Sequence, residues 1–337
     1  MTSWSGPDGP GTTEPANTPR SIVPIPSLIR RGKYPQPGFL MALVWMVGYW
    51  TFTQIPGAAI ALVWALVSMF TTQAPAGDWD RWAKHPMEVP GMSTGLLVGL
   101  GVAQVLAALY AWILLRNLVG RDWKKQIGID RLPQWGHLLA TLALVPGMVL
   151  ASNALVAMVG EQGLEGEAAI GGLQVGRQVL EDFQRLMGGW PSWAAVLVVA
   201  VGPAVGEELF CRGFLGHGLL ARHGAVTGVV LTSILFGVMH LVPLQAAYAA
   251  LLGLVLHGLR LATGSLWAPI LAHFANNALS VLGTCEDSPI RDPLVGIEVW
   301  VQTSPGLALV AGLGVLIVGL TYLSKTRVSE PQLSPSP

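Results

Sequence analysis

Charge is what this sequence most lacks. Nineteen Lys and Arg and nineteen Asp and Glu make up 11% of its 337 residues, against 52% hydrophobic residues and a mean hydropathy of +0.55. A soluble domain carries about a quarter charged residues, so water is not the main solvent of this chain. The two signs cancel. There is no basic surplus to meet a phosphate backbone, which excludes nucleic acid as the partner. Cysteine is almost absent too: Cys211 and Cys285 cannot build a disulfide framework or a cysteine-rich zinc site. No H-E-x-x-H occurs and no aspartate falls inside an apolar run, which removes the zincin and aspartyl-dyad patterns. "GMSTG" at 91–95 fits G-x-S-x-G, but it opens an apolar run and makes no strand-to-helix elbow.

Apolar runs are what the chain has in abundance. They recur at about 39–70, 92–115, 134–159, 193–220, 224–242, 244–262, 264–283 and 305–323, each near or above the ~20 residues that cross a bilayer. The expectation is an all-α, polytopic transmembrane bundle of about eight spans. The first run is overlong and holds Pro56, so it reads as one kinked helix or as a span plus an interfacial segment. Residues 1–35, rich in Pro, Gly, Ser and Thr, read as a disordered cytoplasmic leader. An integral membrane domain follows over 36–325, with a short tail at 326–337. The stretch "GGLQVGRQVLEDFQRLMGGW" (171–190) has the period of an amphipathic helix lying on the outer face.

Alternating spans place Arg30, Arg31, Lys33, Arg116, Arg121, Lys124, Lys125, Arg222, Arg260, Lys325 and Arg327 on one side. The opposite loops hold most of the acids, so the positive-inside rule sets both termini in the cytoplasm.

Three charges break the fourth run, in "GPAVGEELFCRGFL" (202–215). At roughly 2.5–3.5 kcal/mol each near a helix centre, Glu207, Glu208 and Arg212 need relief. Glu208 and Arg212 are four apart with the acid first, a favourable helical pair. Glu207 lies about 100° round the helix with no cation within a turn, so its partner is expected from another span. The later runs offer few polar candidates. His240 follows Phe236 by one turn, and His273 and Asn277 share a helical face. A carboxylate, two imidazoles and a carboxamide from three spans would make one polar pocket inside the bundle.

"EELFCR", "FGVMH" and "HFANN" fit E-E-x-x-x-R, F-x-x-x-H and H-x-x-x-N. In this order they resemble the three motifs of the CAAX-protease and bacteriocin-processing family of intramembrane glutamic endopeptidases, over roughly residues 190–285. The resemblance implies proteolysis of a membrane-associated protein or peptide. It implies that Glu207 activates water with help from His240, and that His273 and Asn277 hold the oxyanion. Glu208, Arg212 and Phe236 take supporting places, and no metal or other cofactor is expected. The chemistry agrees: a buried carboxylate is a competent general base, and donors aimed at a developing oxyanion supply a large electrostatic contribution.

Two other readings fit the same residues. Zinc takes two His and one carboxylate in known sites, so Glu207, His240 and His273 could be metal ligands. Asn277 on the face of His273 speaks against it, because carboxamides are poor zinc ligands. A proton-coupled transporter or a non-catalytic immunity scaffold would also keep a polar pocket at mid-membrane, yet the chain has no inverted repeat.

Overall fold

The computed structural model describes residues 37–72, 78–162 and 171–326, and within them every regular element is helical. The expected leader and the end of the tail lie outside the described residues. In chain order the helices are α1 (Phe39–Thr71), α2 (Trp79–Lys84), α3 (Met92–Leu114), α4 (Trp123–Gln126), α5 (Trp135–Gln162), α6 (Gly171–Gly188), α7 (Ser192–His223), α8 (Ala225–Val238), α9 (Pro243–Thr263), α10 (Trp267–Thr284), α11 (Arg291–Thr303) and α12 (Pro305–Lys325). A π turn over Leu115–Val119 extends α3.

All eight apolar runs are helices, and six of them, α1, α3, α5, α7, α9 and α12, are long and apolar enough to cross a membrane. The other two, α8 and α10, fall short in length or hydropathy. Helix α8 has only 14 residues, about 21 Å at 1.5 Å per residue. Helix α10 reaches 18 residues, but His273, Asn276 and Asn277 lower its hydropathy. The first run is one continuous helix of 33 residues with Pro56 inside.

The outer surface is apolar, with Leu40, Val44, Phe52, Val310, Ile317 and Val318 all exposed. Such a surface suits lipid, where only fully paired backbones such as helices survive. Inside, small residues let the helices approach. Helix α3 buries Gly95, Gly99, Ala103, Ala107 and Ala111 at four-residue spacing. They face Thr53, Gly57, Ala61 and Ala65 of α1. A Cβ on Gly57 would stand 2.7 Å from the Gly99 carbonyl oxygen. This is the small-residue seam by which helices pack in lipid, where contact and not water expulsion drives association.

Helix α7 runs through the middle of the bundle against α3 and α10, then reverses at Gly224, whose φ of 82° suits glycine. Helix α8 returns along it. The amphipathic stretch is helix α6, which sets Phe183 and Met187 against Trp190, Val281 and Cys285 at one end of the bundle.

Candidate active site

Level in the hairpin of α7 and α8 follows from distance to Gly224. At ~1.5 Å per residue, positions equally far from the turn stand opposite each other. Arg212 and Phe236 are each twelve residues away, and Glu208 and His240 each sixteen. The side chains agree: the Arg212 guanidinium lies 4.2 Å from the centre of the Phe236 ring. Helix α8 stops at Val238 and leaves His240 on the turn before α9.

Phe236 is fully buried and organises both imidazoles. His240 meets it edge to face at 5.1 Å and His273 at 5.8 Å. His240 Nδ1 lies 3.0 Å from the Phe236 carbonyl oxygen. A carbonyl only accepts, so Nδ1 carries the proton and Nε2 of the neutral ring presents its lone pair. The turn is held by a backbone bond from Val242 N–H to the His240 carbonyl, 2.6 Å. The next residue, Leu241, takes a left-handed φ of 54°. Non-glycine residues pay for that conformation, and such strain gathers at functional sites.

Glu208 is fully buried and takes two partners on one oxygen. Its Oε1 accepts from Arg212 Nη1 at 2.6 Å and from His273 Nδ1 at 2.9 Å. Arg212 also donates from Nη2 to the Gly253 carbonyl on α9, 3.3 Å. The Glu208–Arg212 pair was legible at i,i+4, but its tie to His273 was not. That tie directs Nδ1 of His273 inward and leaves Nε2 for other use.

Glu207 is half-buried, and its Oε2, like Oε2 of Glu208, lies buried without a hydrogen-bond partner. No hydrogen bond or ion pair among the described residues supplies the partner expected from another span, and Arg212 and His273 both bind the neighbouring glutamate. The Tyr49 hydroxyl of α1 is within electrostatic reach of Glu207, and the sequence drew no attention to it.

Asn277 Nδ2 donates to the Val199 carbonyl at 3.1 Å. Pro203 explains why that carbonyl is free: a proline lacks the N–H that would cap the carbonyl four residues back. The surrounding Val196–Val201 segment is π-helical, as is common where function interrupts a helix. Asn276, beside it, donates to Asn277 Oδ1 at 3.2 Å and accepts from the Tyr248 hydroxyl at 3.0 Å. One N–H of Asn277 remains for a further acceptor.

The structure thus brings Glu208, Arg212, Phe236, His240 and His273 into one contact network. Asn277 stands one turn beyond His273 on α10, and Glu207 beside Glu208 on α7. Among the described residues, no three of His, Cys, Asp and Glu are grouped to hold a metal ion.

Residues 189–279 match the family model described as Type II CAAX prenyl endopeptidase Rce1-like, and the matched segment contains all of these motif residues. No curated protein and no solved structure matches the chain.

Proposed function

We propose that this chain, whose residues 189–279 belong with the type II CAAX prenyl endopeptidases, uses Glu207 as the general base of an intramembrane endopeptidase. The bond cleaved lies in or near the membrane segment or the C-terminus of a membrane-associated protein. The contrast between two adjacent glutamates carries the reading. Glu208 is fully buried and its charge is neutralised by Arg212 and His273, whereas Glu207 is half-buried and no cation is paired with it among the described residues. A base must reach water and be free to take its proton, which of the two glutamates Glu207 does.

Water loses a proton to Glu207 as its oxygen attacks the scissile carbonyl, with His240 Nε2 accepting the second hydrogen bond of that water. Negative charge gathers on the carbonyl oxygen. The second N–H of Asn277 donates to it, as does Nε2 of His273 when that ring carries both protons, with Glu208 as its counter-charge. The C–N bond then breaks and Glu207 returns its proton to the leaving amine. No step calls for a metal.

The test is turnover of a quenched peptide ending in a farnesylated Cys-aliphatic-aliphatic-X sequence, in vesicles containing the protein. Glu207→Gln should lower the rate by about 10²–10⁴-fold with unchanged melting. Wild-type turnover in that variant would sink the assignment. The metal-free mechanism is checked separately. One zinc per chain, lost together with activity on chelation and restored with it, would overturn that part alone.

A further inference from the structure

Tyr49 on α1 is 1% exposed, and its hydroxyl has no hydrogen-bond partner. Its ring stacks on Phe210 with centroids 4.6 Å apart and planes at 24°, and meets Tyr110 edge-on at 6.1 Å. Phe210 lies three residues after Glu207 on α7, so the stack holds Tyr49 near the level of that carboxylate. A phenylalanine would fill the same space without burying a polar atom, so the hydroxyl at this position needs a use.

The groups that act electrostatically on that hydroxyl are Glu207 and Cys211. The Cys211 thiol is a weak acceptor and points to Met239 Sδ at 3.6 Å. Glu207 Oε2 is a strong acceptor, buried and unpartnered. Tyr110 of α3, which also meets Phe210, gives its hydroxyl to the Trp45 carbonyl at 3.1 Å. Gln104 of α3 packs beside Gly202, with its Oε1 buried and unpartnered. Arg212 and His273 are held by Glu208, and His240 Nδ1 is held by the Phe236 carbonyl.

We infer that Tyr49 is a positioning residue for the base: its hydroxyl donates to a water held between it and Glu207 and so fixes the carboxylate toward the scissile bond. This rests on Glu207 as the base. Tyr49 keeps its proton throughout.

Tyr49→Phe preserves the ring stack and removes only the donor. The infrared difference between wild type and Glu207→Gln isolates the Glu207 carboxyl band, whose frequency reports the hydrogen bonds it accepts. That band should move in Tyr49→Phe, and turnover of the farnesylated peptide should fall up to about a hundredfold in kcat with KM nearly unchanged. An unmoved band overturns the inference whatever the rate. Should Tyr49→Phe fail to fold, the wild type decides: a tyrosine ring mode should differ between it and Glu207→Gln, and no such difference sinks the proposal. Full cleavage by Glu207→Gln would instead remove the base assignment, leaving the Tyr49–Glu207 contact to stand or fall on the carboxyl band.

Discussion

Arg212 is bound on three sides: by the Glu208 carboxylate, by the face of Phe236 and by the Gly253 carbonyl. Removing it leaves Glu208 buried with His273 as its sole counter-charge. Losing one partner of a buried pair costs about 3–5 kcal/mol, so Arg212→Ala should melt far below wild type in detergent and yield less folded protein. Arg212→Lys keeps the charge but not the planar stack or the forked donor, and should recover only part of that loss. Normal melting of Arg212→Ala would refute the supporting role. The i,i+4 spacing made the Glu208–Arg212 pair legible from sequence. The third member, His273, was hidden because its approach depends on how α10 packs against α7. The same dependence on packing hides what stands near Glu207, whose partner was expected on another span.

Helix α8 is where the sequence was least legible. Its apolar run continues through Met239, Leu241 and Val242 to Pro243, so hydropathy marks no break at Val238. At the turn Met239 is buried whereas Leu241 is 65% exposed, so apolar composition there does not report burial. What does mark it is Pro243, which opens α9, and the mirror count about Gly224. The seam between α1 and α3 rests on a four-residue spacing of Gly and Ala that is present in the sequence but went unread there. That seam positions Tyr49, two turns before Gly57, so its disturbance should reach the site. A Cβ on Gly99 would meet the Gly57 carbonyl oxygen. Overpacking of this kind costs about 1–3 kcal/mol, and Gly99→Ala should lower the melting temperature accordingly. Gly314 on α12 has open space around it. There the same substitution should be neutral or gain up to about 1 kcal/mol from helix propensity. Equal responses at the two glycines would mean that the close approach of α1 and α3 is not what the native bundle relies on.

At the scale of the molecule, contacts sort the charges by end. Arg222 packs by Gly38 at the start of α1. Arg260 reaches the Gln126 carbonyl beyond α3, Ser265 the Arg131 carbonyl, and His137 at the start of α5 the Thr326 carbonyl after α12. These contacts tie Arg116, Arg121, Lys124, Lys125, Arg131, Arg222, Arg260 and Lys325 to one end, where Asp122 and Asp130 are the acids among the described residues. The other end is closed by Trp190 on Ser93 and by Asp287 on the Ser192 amide. Its basic residues, such as Arg81 and Arg291, are outnumbered by acids including Asp78, Asp80, Glu88, Glu286 and Asp292. The positive-inside rule then predicts that the basic end, where α1 begins and α12 ends, faces the cytoplasm. The native thiols leave a quiet background for the test, since Cys211 and Cys285 are both fully buried. With a membrane-impermeant maleimide on intact cells, Asp80→Cys should label and Lys125→Cys should not, both sites being exposed. After lysis both should label. The reverse pattern in intact cells would place the basic end outside and overturn the predicted orientation.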